Sequence, residues 1–184
     1  MILDGLLAFT SLAGGGTGIG DSPLGIGTVS SSNILDLHMA GIPVLANLQG
    51  ARDIGIGDDP SLKLLVQVTT AFTSAGAPTL QIAFQGATDN GAGAPNAFST
   101  WWSSPVYALA TLSVGGRLMD MDVPRPPDGV AIPRFLQLSY ITATAVFTAG
   151  VIKAFIVIDR HDQMYQSTNN AILGGYPPGI AIAN

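Results

Sequence analysis

Apolar and polar side chains alternate in residues 62–85, which is the pattern of a half-buried β-strand. Small, turn-forming residues interrupt the alternation at residues 73–78, and it resumes in residues 80–84. The pattern therefore predicts two strands that run antiparallel through a turn. The apolar positions of the first strand are Leu62, Leu64, Val66 and Val68.

A second stretch, residues 134–158, repeats this arrangement later in the chain. Its first half alternates again and its second half is apolar, so each half predicts a strand. Phe72-Thr73 and Phe147-Thr148 occupy matching places, each just before small residues and a returning strand. Two similar antiparallel strand pairs in one chain are typical of a β-sandwich.

Weaker patterns supply the remaining strands. Residues 33–39 and 118–123 alternate, and residues 106–114 form a further apolar run. Residues 1–12 are apolar around Asp4 and fit either a helical turn or an edge strand. The expected fold is all-β, a jelly-roll-like antiparallel β-sandwich of about eight strands with long loops.

Glycine- and proline-rich segments separate these strands. We expect a mobile glycine-rich loop at residues 14–30 and a long exposed loop at residues 86–100. The strands belong to one domain, residues 1–161. Residues 162–184 have no clear period, and Pro177-Pro178 favours an extended path. We predict an extended C-terminal arm that lies across a neighbouring molecule, with a disordered tail as the alternative.

The chain is poor in charge. Of its 184 residues, 47% are hydrophobic and 10% are charged, against about 25% charged in ordinary soluble domains. A surface with so few charges is usually covered by a partner. Glu is absent, while there are 23 Gly and 12 Pro. This balance disfavours helices and favours strands with many turns.

The composition also excludes several classes of function. The net charge is −5 and the few Arg residues are scattered, so no basic patch and no nucleic-acid partner are expected. The absence of Cys removes disulfides, thiolate nucleophiles and Cys-based metal sites. No apolar stretch approaches the ~20 residues of a membrane span, and the N-terminal residues lack a cationic start. We expect a soluble protein, made in a cytoplasm, with no membrane partner.

No set of residues has the spacing of an active, metal or cofactor site. The glycine-rich residues 14–27 contain neither G-x-G-x-x-G nor a Gly-Lys-Ser/Thr ending. The two histidines, His38 and His161, are too few for a metal centre of three or four ligands. Asp120 and Asp122 share a strand face, where we expect solvent or a partner's Arg or Lys to meet them. We therefore predict no enzyme activity, no catalytic residue, no metal and no cofactor.

Several short motifs, in order along the chain, resemble those of one family. They are MILD at 1–4, NILDL at 33–37, GARDIGIG at 50–57, LVQV at 65–68, AFTSAG at 71–76, SPV at 104–106, FLQLSY at 135–140 and FTAG at 147–150. With these motifs the chain resembles the cement, or capsid-decoration, proteins of tailed phages, typified by that of a Bordetella phage. The resemblance implies a jelly roll on the outer surface of an icosahedral phage head, strand addition between subunits and no enzyme activity.

The implied partners are the phage major capsid protein and other copies of this chain, as a dimer or a trimer. We expect residues 1–30 and 162–184 to carry much of the contact between subunits. Trp101 and Trp102 are neighbours in a strand, so one is expected in the core and the other at an interface. The candidate interface residues are Met1, Ile2, Leu3, Asp4, Arg52, Asp53, Trp101, Trp102, Arg160, Tyr176, Ile180 and Ile182.

Two other interpretations stay open at this point. One is a carbohydrate-binding or hydrolytic jelly-roll module of a phage tail or fibre, which a row of exposed aromatics or converging carboxylates would favour. The other is a jelly-roll major capsid protein, which self-assembly of the purified chain into closed shells would favour.

Overall fold

Strands dominate the part of the chain that the computed structural model describes. That part comprises residues 2–10, 20–37, 62–131, 133–158, 164–166 and 171–173. Its strands are β1 (Ile2–Ala8), β2 (Gly27–Ser30), β3 (Leu35–Asp36), β4 (Lys63–Thr73), β5 (Thr79–Ala87), β6 (Ser99–Ser103), β7 (Tyr107–Ala108), β8 (Arg117–Asp122), β9 (Phe135–Ala143), β10 (Ala149–Ile158), β11 (Met164–Gln166) and β12 (Ala171–Leu173). One turn of 3₁₀ helix, Leu109–Thr111, follows β7. The all-β prediction is confirmed.

Ten of these strands form two antiparallel sheets. One sheet has the order β1-β10-β4-β8; the other has the order β2-β9-β5-β6, with β3 beside β9 and β7 beside β5. Because β3 and β7 are only two residues long, each sheet has four longer strands. Renumbered along the chain, those eight strands have the orders 1-8-3-6 and 2-7-4-5, which is the topology of a jelly roll. The predicted jelly-roll sandwich is therefore confirmed.

The strand partners differ from those that the two repeated stretches predicted. β4 pairs with β10 rather than with β5, and β5 pairs with β9. The turns at residues 74–78 and 144–148 therefore carry the chain from one sheet to the other. The prediction of two sequential pairs was wrong because an amphipathic strand needs only one buried face. A chain that crosses to the opposite sheet buries that face of the strand just as effectively as a chain that forms a hairpin.

The two crossover turns lie side by side, so the repeat in the sequence is also a repeat in space. Phe72 and Phe147 pack edge to face with their ring centroids 4.8 Å apart. The Thr148 amide donates to the Thr73 carbonyl at 2.7 Å, and the hydroxyls of these two threonines are 2.8 Å apart. Gly150 has a φ of +144°, and a Cβ there would overlap the Phe72 ring. This close approach requires glycine.

The core lies between the two sheets and takes alternate residues from both. Its largest fully buried side chains are Phe9, Leu64, Val66, Leu80, Ile82, Phe84, Leu112, Leu136, Leu138, Tyr140, Ile152 and Ile156. Fully burying one such aliphatic or aromatic side chain stabilises the fold by about 1.5–3 kcal/mol. The rings of Phe9 and Phe84 meet edge to face at 6.0 Å, which ties the N-terminal segment to the opposite sheet.

Residues 20–30 are part of the fold, although the sequence predicted a mobile loop at residues 14–30. Asp21 and Ile152 exchange two backbone hydrogen bonds of 2.9 Å, and β2 pairs with β9. The prediction was wrong here because glycine adds backbone freedom but does not prevent pairing with an available strand. Residues 14–19 lie outside the described residues.

Two further segments differ from expectation. The loop predicted at residues 86–100 is shorter, because β5 and β6 extend into it. The apolar run at residues 106–114 contains only the short β7 and the 3₁₀ turn. Its apolar residues do not share one face, since Leu112 is buried while Val106 and Val114 are exposed. An apolar run without a period was therefore a poor predictor of a strand.

Both chain ends are described in part. β1 is an edge strand that pairs with β10, which settles the choice between a helical turn and an edge strand. In the tail, β11 and β12 pair with each other, a local pairing that the lack of a period did not predict. The rest of residues 162–184 lies outside the described residues. No helix among the described residues is long and apolar enough to cross a membrane.

Candidate interaction surface

The open edges of the two sheets differ in how far they are protected against a further strand. An edge strand exposes unpaired backbone groups that can accept a further strand, so most edges carry charges or bulges or are very short. β8 is a charged edge, with Arg117, Asp120 and Asp122. Arg117 pairs with Asp120 at 3.2 Å, and Lys63 of β4 pairs with Asp122.

Asp120 and Asp122 are thus paired within the chain, whereas the sequence predicted solvent or a partner's cation. Such surface ion pairs contribute about 0–1 kcal/mol to stability, so blocking the edge is their clearer consequence. No three His, Asp or Glu side chains converge on a metal site within the described ranges. His38 and His161 lie outside those ranges.

β6 is protected by a β-bulge at Trp101. Phe84 is opposite Trp102, and the next residue of β5 is opposite Thr100, so Trp101 is the extra residue of the bulge. Its ring centroid lies 5.8 Å from that of Phe84, and a Cβ on Gly86 would overlap the indole. Both tryptophans are half-buried against the core. The structure does not divide them into one buried and one exposed tryptophan, because the bulge breaks the alternation of side chains. An interface role for either tryptophan stays a prediction.

Among the edges whose side chains are described, β2 has none of these protections. It contains no charge, no proline and no bulge, and Thr28, Val29 and Ser30 are exposed. The Ser31 amide donates to the Leu138 carbonyl at 2.8 Å. Because N–H directions alternate along a strand, Thr28 and Ser30 direct their backbone groups away from β9. β2 therefore offers a row of donors and acceptors to an additional strand.

A buried hydrogen-bond network anchors the segment that carries β2. The Tyr140 hydroxyl donates to the Asp21 carboxylate at 3.0 Å. The same carboxylate accepts from the Ser32 amide at 3.1 Å and from the Ser32 hydroxyl. Tyr140 is fully buried, and its burial together with the charge and hydrogen bond of Asp21 raises the pKa of Tyr140 well above its ordinary value of 10.0. The phenol therefore stays protonated and continues to donate.

Arg134 forms an ionic clamp at the opposite end of this sheet. Its guanidinium binds Asp36 at two points, Nε–Oδ1 at 2.8 Å and Nη2–Oδ2 at 2.9 Å. It also pairs with Asp89 and stacks on the Phe135 ring at 4.7 Å from the centroid. The bond to Asp36 is the main cause that raises the pKa of Arg134. The clamp joins β3 to the loop between β5 and β6.

The loop between β5 and β6 is further held by its own turns. The Gly91 and Gly93 amides donate to Asp89 Oδ1 at 2.9 and 3.0 Å. Burial raises the pKa of Asp89, but the Gly91 amide, Arg134 and the Gly93 amide together outweigh it, so the net pKa lies below the ordinary value of 3.8. The carboxylate stays ionised near neutral pH and keeps the loop in one arrangement.

The candidate interface residues fall into three groups. Ile2, Leu3 and Asp4 lie in β1, at an edge of the four-stranded sheet. Trp101 and Trp102 lie in β6, at an edge of the other sheet, so the structure does not bring these two groups together. The remaining candidates lie outside the described residues: Met1, Arg52, Asp53, Arg160, Tyr176, Ile180 and Ile182.

The strand order places the chain among the jelly-roll sandwiches. A sequence model of the Bbp16 family matches residues 26–156, from just before β2 to near the end of β10. The match covers well over half of the chain, and the chain belongs to the Bbp16 family. This membership is consistent with the resemblance to a Bordetella phage protein. No curated protein matches the chain.

Sequence reasoning did not predict the two polar networks described above, around Arg134 and around Asp21. Arg134 and Asp36 are 98 positions apart, and Tyr140 and Asp21 are 119 positions apart. Spacing along the chain gives no signal for such pairs. The one signal in the sequence was the scarcity of charge. In a chain with few charges, a charged residue beside a predicted strand is a candidate for an ion pair with a distant residue.

Proposed function

We propose that the protein is a structural component of a phage virion, which binds the outer surface of an icosahedral head and stabilises the lattice of the major capsid protein. The observation that carries the proposal is membership of the Bbp16 family over residues 26–156. The motif resemblance to phage cement proteins supplies the specific role, and the low content of charge suits a surface that partners cover.

Strand addition is the contact that the fold supports best. The β2 edge is exposed and uncharged, and the backbone N–H and C=O groups of Thr28 and Ser30 point away from β9. A partner strand laid along it would gain main-chain hydrogen bonds without displacing any ion pair. The buried Asp21–Tyr140 bond holds the neighbouring segment rigid, so little ordering is needed on binding.

The proposed partners are the phage major capsid protein and other copies of this chain. The role is structural, with no catalytic step, cofactor, nucleic acid or membrane. The protein would be made in the bacterial host cytoplasm and would function on the outside of the head. If each copy buries about 1,600 Å² in total, it forms a standard stable interface, repeated over the lattice.

The test mixes the purified protein with undecorated heads of its phage and measures stoichiometry by electron microscopy. We expect added density at fixed positions on the outer surface, at a constant number of copies per capsid subunit, and heads that resist heat better. Heads that stay bare at saturating protein would refute the proposal. Closed shells formed by the chain alone would indicate a major capsid protein instead.

The strand-addition step has its own test, the substitution Ser30→Pro. Proline removes one of the two outward N–H groups of β2, that of Ser30, while leaving the hydrogen bonds to β9 intact, and proline is tolerated at such edge positions. We expect a folded protein whose apparent affinity for heads falls about tenfold, which corresponds to about 1.4 kcal/mol. Ser30→Ala is the matched control, because it removes the same hydroxyl and keeps the N–H. Equal decoration by both variants would contradict pairing at this edge.

A further inference from the structure

The charged side chains of the sandwich are segregated toward one of its two ends. At one end lie the crossover turns, the segment around the 3₁₀ turn and the start of β2. We call this the uncharged end, and among the described residues it consists of 22–27, 73–79, 105–116 and 142–149. These ranges contain no Asp, Lys or Arg.

Strand register shows that these segments meet at one end. In the six-stranded sheet one row of paired residues is Gly27, Thr142, Leu80 and Tyr107. In the four-stranded sheet Thr73 is opposite Ala149. The Phe72 amide donates to the Leu112 carbonyl at 3.0 Å, which brings the 3₁₀ turn to the same end.

The other end carries most of the described charge. Lys63 and Asp122 pair where β4 begins and β8 ends. The Arg134 clamp lies where β9 begins, and Arg125 and Asp128 lie in the connection between β8 and β9.

Between the two ends, the solvent-accessible charges nearest the uncharged end are at mid-height, while the buried Asp21 lies one residue nearer, opposite Ile152, and accepts hydrogen bonds from Tyr140 and Ser32. Arg117 and Lys153 are both opposite Gln67. From Gln67 to Thr73 the strand rises roughly 20 Å, at about 3.3 Å per residue. The described residues of this deep cap of the sandwich therefore expose no charged group to solvent.

The uncharged end nevertheless exposes apolar side chains. Val114 is 65% exposed, Ile26 61%, Val106 60% and Val146 52%. Between them lie exposed alanine, threonine, serine and glycine residues of the turns. An exposed apolar surface with hydroxyls and no ions loses little when it is covered, because no charge must be desolvated. A covering partner would need a similarly uncharged surface, since a charge buried against this end would have no counterion.

We infer that the uncharged end is the face with which the protein docks on the uncharged surface of the phage shell protein, so that the charged end points to solvent. This inference rests on the proposed function, because it assigns the face that meets the head. The exposed side chains of this end are no larger than isoleucine. Exposed Trp, Tyr or Arg anchors, which dominate most two-body interfaces, are missing from its described residues. Such a surface binds weakly at one contact, and linking several contacts raises the overall affinity. A dimer or trimer of this chain would present two or three such ends to a shell lattice at once, whereas contact between two copies uses each end once.

The test places one new charge at each end. Val114→Lys and Val146→Lys add an ammonium to the uncharged end, and Val130→Lys adds one to an exposed residue between β8 and β9 at the charged end. All three sites are exposed, so we expect melting temperatures within a few degrees of the wild type. Head occupancy by electron microscopy should fall about tenfold or more for Val114→Lys and Val146→Lys, because each buries an unpaired charge on docking. It should stay unchanged for Val130→Lys.

The outcomes separate the inference from the proposed function. Wild-type protein that leaves heads bare would overturn the proposed function and the docking face together. Wild-type binding matched by Val114→Lys and Val146→Lys would overturn the docking face alone. A loss of self-association in these two variants, seen by light scattering, with normal decoration would assign the uncharged end to contacts between copies and would also overturn it.

Discussion

The hydrogen bond between Tyr140 and Asp21 should be a measurable source of stability, and Tyr140→Phe tests it. The substitution removes one oxygen from a fully buried ring and leaves the ring's packing in place. Asp21 then keeps the two hydrogen bonds from Ser32 and loses the one from the phenol. Through this carboxylate the start of the segment between Gly20 and β2 is attached to Tyr140 of the six-stranded sheet.

The size of the effect follows from the kind of hydrogen bond. A bond to an ionised group contributes about 1.5–3 kcal/mol net, and the 3.0 Å geometry with both partners buried is a favourable case. We therefore expect Tyr140→Phe to lower the free energy of unfolding by about 2 kcal/mol. For a chain of this size the melting temperature should fall by about 4–8 °C.

The same residue predicts a dependence on alkaline pH. The pKa of Tyr140 is raised in the folded state by burial and then by Asp21, so at high pH the folded chain holds a proton that the unfolded chain has lost. The contribution is fully present below pH 10 and is lost as the pH rises toward the folded pKa. The wild type should lose about 1.4 kcal/mol per pH unit above pH 10 through this group. Tyr140→Phe should lack that part of the slope.

Urea unfolding followed by circular dichroism between pH 7 and pH 11 measures both effects. Tyr107→Phe is the matched control at neutral pH, because its half-buried hydroxyl donates to the neutral Leu118 carbonyl and should cost about 0.5–1.5 kcal/mol. Burial also raises the pKa of Tyr107, so this variant should lose its own, smaller part of the alkaline slope. Combining Tyr140→Phe with Asp21→Ala completes a double-mutant cycle, in which the phenol should matter little once the carboxylate is gone. Additive losses, or an unchanged alkaline slope in Tyr140→Phe, would refute the reasoning.

Two further substitutions test local features of the edges. Arg134→Gln should speed hydrogen exchange at the loop amides that donate to Asp89, and should return the pKa of Asp89 toward its ordinary value. In the wild type, protection of these amides from exchange is present above about pH 4 and is lost as the pH falls through the lowered pKa of Asp89. In the variant the protection should be lost at a higher pH. Hydrogen exchange measured as a function of pH would detect the difference. Gly86→Ala should push the Trp101 indole outward, because the new Cβ overlaps it, with red-shifted tryptophan fluorescence and a loss of about 1–3 kcal/mol. Gly25→Ala is its control, since a Cβ there meets nothing within 4 Å, and equal spectra for the two variants would contradict the packing described for the bulge.

The alternation of side chains was enough to predict the strands but not their partners. Burial of one face is a local property, so the period of two in β4 and β9 located both strands in the sequence. Whether a turn closes a hairpin or crosses between sheets depends on distant packing. Here the two crossovers meet where Phe72 packs on Phe147, two residues that the sequence marked as equivalent without indicating that they touch.

The candidate surface was less predictable for a related reason. The sequence directed attention to Trp101 and Trp102 because aromatic pairs are conspicuous, but a bulge in β6 packs both against the core. The exposed β2 edge contains only small residues and a valine, and nothing in that composition distinguishes it from a loop. The β2 edge is open to a further strand because β2 is the last strand on that side of the sheet, which is a property of the topology and not of the local sequence.

The requirements of folding explain the lack of charge at only part of the uncharged end. Where the crossovers meet, Thr73 and Thr148 touch, and Gly150 leaves no room for a larger side chain beside Phe72. The fold therefore requires small residues at the crossovers. It makes no such demand on Val114, which is exposed and could carry a charge without disturbing the core. The absence of charge thus extends beyond the positions that folding constrains, which is the reason to assign it to a contact with a partner.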